Sequence, residues 1–292
     1  MKNTMSRALL YGCATLVISG IAIAWANTSK EAGVMTLLSS ANMQLRMAHA
    51  IPAVDGDGNR LDKREVMIDD AIMQLDKIAR TEPGLVAAVE LRGFAHMLQG
   101  DFAGAAACYR RAKSCEDCDD EVRDVLTFNE ARMLAKAGQR AEALQVFEAN
   151  KQPLEERFGH QRRLEEAQIL QALGRTNEAV DRLDLVMQDE AVMPMSRLQA
   201  GRQYLELGLL ERAEDALQGI QNEIAISDYY LAQLKLRQGH TDICIELLER
   251  AAKARSTEVR RMLREEAEVW SDIAQDVRFQ DLSKELPASP GR

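Results

Sequence analysis

The most constraining feature of this sequence is a spacing pattern that occurs five times in tandem. A small residue is followed after seven positions by a glycine, after five more by a second small residue, and after four more by a large apolar residue. The segments are Gly93/Gly100/Ala105/Tyr109, Ala131/Gly138/Ala143/Phe147, Ala167/Gly174/Ala179/Leu183, Gly201/Gly208/Ala213/Leu217 and Ala232/Gly239/Cys244/Leu248. The glycines are separated by 38, 36, 34 and 31 residues, which is the period of a structural repeat.

Each segment predicts a hairpin of two helices. The glycine suits the end of the first helix, because it adopts the left-handed cap conformation without strain. The small residues suit the point where the two helices cross closely, and the large apolar residue fills the space beneath them. One hairpin cannot bury its own apolar face, so we expect neighbouring hairpins to stack. The low aromatic content of 4% also favours helices over large sheets.

These positions resemble the tetratricopeptide repeat, a helix-turn-helix unit of about 34 residues. The turn Gly100-Asp101-Phe102, with Ala105, Tyr109 and Ala112 after it, carries the best match. The sequence departs from the family pattern because no Trp opens a repeat, and the position often held by Tyr is a Tyr only in the fourth repeat. The resemblance implies an all-α fold, a right-handed α-solenoid of stacked repeats that binds other proteins.

The flanks of the array complete the predicted organisation. We expect a first helix at Val34–Ala50, and a single terminal helix over Thr257–Leu286 that covers the last apolar face, with Val259, Trp270 and Val277 recurring at helical spacing. The predicted divisions are 1–26, a signal peptide or transmembrane anchor; 27–64, a linker and first helix with a polar loop; 65–256, the repeat array; 257–286, the capping helix; and 287–292, a disordered tail.

The N-terminal segment indicates export. Residues Ala8–Ala26 carry no charge and follow Lys2 and Arg7. As a helix, 19 residues rise about 28 Å, close to the ~30 Å hydrocarbon core of a bilayer. The segment also ends in Ala24-Trp25-Ala26, a small-x-small pattern typical of signal-peptidase cleavage. An uncleaved anchor and a cleaved signal both remain open, and both place the rest of the chain outside the cytoplasm.

The cysteine pair Cys115 and Cys118 allows a redox, metal or structural interpretation. The adjacent Glu116, Asp117 and Asp119 should raise the pKa of both thiols, whereas a redox pair needs a stabilised thiolate. A zinc site needs about four ligands, and the sequence offers no second cysteine pair. A structural disulfide or two free thiols is therefore favoured over redox chemistry.

The remaining motifs do not favour catalysis. The stretch from Asp55 to Glu65 resembles a calcium-binding EF-hand loop, but Arg60 stands at the sixth position, where Gly is needed, and Val66 at the twelfth, where Glu is needed. The four histidines show no metal-binding spacing, and no phosphate loop or hydrolase motif occurs. We expect no catalytic residue, metal or cofactor. The net charge of -9 argues against a nucleic-acid partner.

The first helix of each repeat should line a concave groove. The groove positions predict a binding surface with four cations and several polar or aromatic residues: Phe94, Met97, Phe128, Arg132, Lys136, Gln168, Gln171, Arg202, Tyr229, Gln233 and Arg237. The predicted function is an exported or membrane-anchored scaffold, an envelope assembly or chaperone-like factor that binds a peptide with apolar and acidic groups. The alternative is a thiol-active or calcium-dependent envelope factor.

Overall fold

The computed structural model describes residues 29–52, 62–189, 191–221 and 223–283. These residues form fourteen α-helices and one 3-10 helix, with no strand among them. The apolar segment 8–26, residues 53–61 of the calcium-like loop and the tail 287–292 lie outside this description. The α-helices are α1 (Ser29–Ala50), α2 (Asp62–Thr81), α3 (Val86–Gln99), α4 (Phe102–Ala112), α5 (Asp120–Lys136), α6 (Arg140–Ala149), α7 (Lys151–Ala172), α8 (Thr176–Met187), α9 (Pro194–Glu206), α10 (Leu210–Gln218), α11 (Ser227–Arg237), α12 (Thr241–Ala254), α13 (Ser256–Glu265) and α14 (Val277–Ser283).

The helices pair in chain order, as the repeats predict. The hairpins include α3 with α4, α5 with α6, α9 with α10 and α11 with α12, and the second helix of one hairpin packs against the first helix of the next. The chain divides into two compact units, Met1–Glu165 and Glu166–Arg292, called here the N-terminal and C-terminal units. Within α7, Gly159 has a non-helical backbone with φ 32° and ψ -102°, so this helix is kinked.

All five predicted turn glycines adopt the left-handed conformation. At the end of α3 the Gly100 N–H donates to the Met97 carbonyl at 3.1 Å, and the Asp101 N–H donates to the His96 carbonyl at 2.9 Å. This pair of bonds caps carbonyl groups that the helix cannot satisfy itself. The predicted helix ends are confirmed by the φ angles: Gly100 81°, Gly138 84°, Gly174 74°, Gly208 75° and Gly239 80°.

The small residues mark close helix crossings, also as predicted. A Cβ atom added at Gly93 would stand 2.8 Å from the Tyr109 ring, and one added at Gly201 would stand 2.7 Å from Leu217 Cγ. Such distances are too short for carbon atoms, so a side chain at either glycine would force the Tyr109 ring or Leu217 to move. The large apolar residues of all five repeats are buried beneath their hairpins: Tyr109, Phe147, Leu183, Leu217 and Leu248.

The terminal segment corrects one prediction. Instead of one continuous helix, α13 ends at Glu265, a 3-10 helix covers Ala267–Ile273, and α14 follows. The breaks turn Trp270 and Phe279 inward, where both are buried, while Val277 is left exposed. The last apolar face of the array is thus covered by short helices, each of which buries its own aromatic ring. One straight helix would place Trp270 and Phe279, nine residues apart, on opposite sides.

Candidate functional site

The C-terminal unit contains a pocket of about 460 Å³. Its walls come from the first helices α9 and α11 and from the junction between α13 and the 3-10 helix. Three of the predicted groove residues, Arg202, Gln233 and Arg237, line this pocket together. First helices of adjacent hairpins lie side by side, so the repeat period brings residues that are distant in sequence to one surface.

The two arginines occupy different environments. The exposed Arg202 side chain donates through Nε to Glu206 Oε1 at 2.9 Å, one helical turn along α9. Arg237 donates through Nη1 to the main-chain carbonyl of Leu205. Burial raises the pKa of the neighbouring Tyr230 hydroxyl, and the positive charge of Arg202 opposes that rise. Because Arg202 is exposed whereas Arg237 is held by a main-chain carbonyl, Arg202 is the cation better placed to meet a ligand.

Buried donors hold the carboxylate of Glu266, which lines the pocket. Gln233 Nε2 donates to Glu266 Oε2 at 2.6 Å, and the Tyr229 hydroxyl donates to the same oxygen at 3.1 Å. Trp270 Nε1 donates to the Tyr229 hydroxyl oxygen at 3.3 Å. Burial is the main cause that raises the pKa of Tyr229, so its hydroxyl stays a donor. This network fixes the turn after α13 against α11.

The charge of the pocket differs from the predicted cationic groove. Besides two arginines, the lining includes four carboxylates, of Glu206, Glu265, Glu266 and Glu268. Three of these come from the terminal segment, which the sequence reasoning treated only as an apolar cover. The signal available in the sequence was the acidic run directly before Trp270. The pocket therefore presents both signs of charge, with an acidic excess.

Three predicted groove residues are core residues instead, and a fourth, Gln233, is buried although it lines the pocket. Phe94 is 3% exposed and packs against the His49 ring, with 5.7 Å between ring centroids. Phe128 is 6% exposed and stacks on Phe158 at 4.3 Å. Tyr229 and Gln233 are also buried. The contacts of Phe94, Phe128 and Tyr229 stabilise the helix packing, so we correct the assignment of these three as partner-contacting side chains. For Gln233 that assignment stays a prediction.

The two predicted cations of the N-terminal unit, Arg132 and Lys136, have their positive charge partly offset by neighbouring groups. Arg132 forms an ion pair with Glu165 at 2.6 Å and lies over the Phe128 ring. Lys136 lies 5.6 Å from the centroid of the Phe102 ring. Burial and then Arg132 lower the pKa of Lys136, against the opposing charge of Glu165. A cationic surface is thus weaker here than predicted.

The three predicted groove residues not yet described differ in their exposure. Met97 and Gln171 are half-buried, each in its own unit, and Gln168 is exposed. Within the described ranges, no helix is long and apolar enough to cross a membrane. The same ranges contain no group of three histidine, cysteine or acidic side chains arranged to hold a metal ion.

The four cysteines in the described part of the chain are free thiols. Burial is the main cause that raises the pKa of both Cys115 and Cys118; Asp117 adds to the rise at Cys115, and Arg123 opposes it at Cys118. A raised pKa disfavours the thiolate that redox chemistry requires. The predicted disulfide stays a prediction. Cys108, which the sequence reasoning overlooked, is a further half-buried thiol.

Comparison with solved structures gives the fold. The crystal structure of PilW, a widely conserved type IV pilus biogenesis factor, matches with a TM-score of 0.52 and 12% identity, covering 84% of this chain and 98% of PilW. The fold is tetratricopeptide-like. The Cut9–Hcn1 hetero-tetramer structure of the APC/C has a TM-score of 0.48 and 11% identity, covering 87% of this chain and 55% of the matched chain. No family model and no curated protein matches the sequence.

Proposed function

We propose that this protein is a scaffold without chemistry of its own, which binds a segment of another protein in the pocket of the C-terminal unit. The observation that carries the proposal is the meeting of Arg202 and Arg237 with the carboxylates of the terminal segment around one concavity. Concave surfaces with a few convergent polar groups are the usual sites of ligand binding. The stacked-hairpin fold supports the same role.

The lining indicates the chemistry of the bound segment. An acidic side chain would pair with the exposed Arg202, and a basic side chain would face Glu265 and Glu268, which are both exposed. The half-buried Val269 offers apolar contact beside the charged groups. Opposite charges placed this way favour one orientation of the segment and reject segments of a single sign. The proposal thus replaces the predicted peptide with apolar and acidic groups by one that carries both signs of charge.

The proposal includes export and an envelope role. The uncharged segment Ala8–Ala26 after Lys2 and Arg7 supports passage across the cytoplasmic membrane, by anchor or by cleaved signal. PilW, a pilus biogenesis factor, offers an architectural precedent for an assembly factor of this fold. A reporter enzyme fused after Arg292 should be active outside the cytoplasm; activity in the cytoplasm would contradict export.

Crosslinking from within the pocket tests the binding site. A photoreactive phenylalanine analogue placed at Tyr230 should trap a partner in the native cell, to be identified by mass spectrometry. The same analogue at Val277, which is 69% exposed and not part of the pocket lining, is the positional control. Equal trapping from both positions, or no trapping from Tyr230, would contradict binding of the partner in this pocket.

A charge reversal with a matched control separates binding from folding. Arg202→Glu places a carboxylate at an exposed i,i+4 pair, so helix content and melting should stay unchanged. Arg175→Glu makes the same change at the exposed i,i+3 pair with Glu178, away from the pocket. We expect Arg202→Glu to weaken partner trapping by about tenfold and Arg175→Glu to leave it unchanged.

A further inference from the structure

The turn between α4 and α5 holds two cysteines close together. The Cys118 N–H donates to the Cys115 carbonyl at 3.2 Å, which closes a tight turn of four residues. Such a turn keeps the Cα atoms of its ends within about 7 Å, and disulfides span Cα separations of roughly 4.4–6.8 Å. The charge of a Cys115 thiolate also acts on Cys118, so the two side chains are near neighbours. The turn therefore suits a disulfide between its two ends.

The same turn connects two hairpins through its carboxylates. Asp117, inside the turn, accepts with its two oxygens from the Val86 N–H at the start of α3, at 3.3 and 3.4 Å. The residue before α3 is Leu85, whose apolar side chain cannot cap the helix, so Asp117 supplies a cap from 31 positions away. Asp119 caps α5, because its carboxylate accepts from the Val122 N–H at 2.7 Å. One short turn thus caps the first helices of two successive hairpins.

The Asp117 cap is loose while the thiols are free. An N–H···O hydrogen bond is usually about 2.9 Å long, and both distances from Val86 exceed that length. Asp117 is exposed, so water competes for its carboxylate. A bond between Cys115 and Cys118 would close a ring that contains Asp117, and the ring would restrict the backbone that carries the carboxylate. Closing that ring would therefore act on the cap of α3.

We propose that this turn is a redox-sensitive clamp, in which a Cys115–Cys118 disulfide holds the Asp117 carboxylate firmly on the N-terminus of α3 and reduction loosens it. The two thiols lose two protons and two electrons, and a disulfide oxidant such as glutathione disulfide takes up both as its own S–S bond breaks to give two thiols. Burial is the main cause that raises the pKa of both cysteines, so each is a poor leaving group and the disulfide is reduced slowly. The clamp lies in the N-terminal unit and is independent of the proposed pocket.

Hydrogen–deuterium exchange at Val86 tests the clamp. The full chain in detergent is compared after equilibration with glutathione disulfide and after reduction with dithiothreitol, and peptide mapping by mass spectrometry locates the disulfide. We expect a Cys115–Cys118 bond, and an exchange rate of the Val86 amide that is about tenfold lower in the oxidised protein, as one strengthened helix cap would give. The Gly104 amide, which Asp101 caps at 2.9 Å, is the internal control and should exchange at the same rate in both samples.

Matched variants separate the clamp from a simple stiffening of the turn. Asp117→Ala removes the acceptor but leaves both thiols, so oxidation should no longer slow exchange at Val86. Glu116→Ala, the same change at an exposed residue inside the same ring, should keep the full effect. The absence of a disulfide between the two cysteines of the turn, a bond from Cys115 to Cys108 instead, an unchanged Val86 exchange rate in the disulfide form, or an effect that survives Asp117→Ala would each overturn the proposal.

Discussion

Replacement of Gly138 tests the repeat register most directly. Gly138 has a φ of 84°, and a Cβ atom built there would meet no neighbouring atom. Any loss of stability must then come from the backbone rather than from a clash. A left-handed conformation destabilises an ordinary L-residue by about 1–2 kcal/mol, and a β-branched residue suffers most.

The magnitude follows from two opposing effects. Gly138→Ala should lose about 1–2 kcal/mol in the folded state but regain ~0.4–1 kcal/mol, because alanine restricts the unfolded chain. The net destabilisation is about 1 kcal/mol. Gly138→Val should exceed it, within the ~1–3 kcal/mol typical of strained backbone, whereas Gly138→Asn should lose least, because asparagine tolerates this region.

Two other glycines serve as controls in the same unit. Gly84 has neither a left-handed φ nor a neighbour within 4 Å, so Gly84→Ala should be neutral or stabilising by ~0.4–1 kcal/mol. Gly93→Ala drives a methyl group against the Tyr109 ring and should destabilise by about 1–3 kcal/mol through overpacking. Urea unfolding followed by circular dichroism gives all values. If Gly138→Val unfolds like Gly84→Ala, the helix end assigned to Gly138 is wrong.

The remaining predictions concern buried groups. Because the folded state keeps a proton on Glu90 up to about pH 7, against an ordinary pKa near 4.5, the free energy of unfolding should fall by about 3 kcal/mol as pH rises from 4 to 8. Glu90→Gln should flatten that profile in urea titrations; an unchanged slope would contradict the burial argument. Phe128→Ala should lower the unfolding free energy by about 3–5 kcal/mol, as a core residue would, and a neutral result would return Phe128 to the surface. Replacing Cys115 and Cys118 together by Ser should leave partner trapping intact, and thiol titration of the unchanged protein should show neither cysteine ionising more readily than an ordinary one.

The local structure of the array could be predicted from the sequence alone. Glycine spacing defined where each first helix ends, because only glycine occupies the left-handed cap without strain. The small and large apolar positions predicted the close helix crossings, as at Gly93, and the residues buried beneath them, as at Tyr109. The helix ends and crossings depend on residues of the same hairpin, so a pattern that repeats from hairpin to hairpin is enough to predict them.

The binding surface depended on contacts that periodicity does not encode. Position within a repeat identified Arg202, Gln233 and Arg237, which do meet in one pocket, but it did not indicate that Gln233 is buried. The break after α13, which brings Glu266 to this wall, is stabilised by hydrogen bonds from another hairpin. A sequence pattern therefore determined where the helices end and cross, whereas tertiary packing decided which predicted groove residues are buried and which charges are neutralised. Pairing of charges depends on distances between residues that are far apart in the chain, and only the folded arrangement sets those distances.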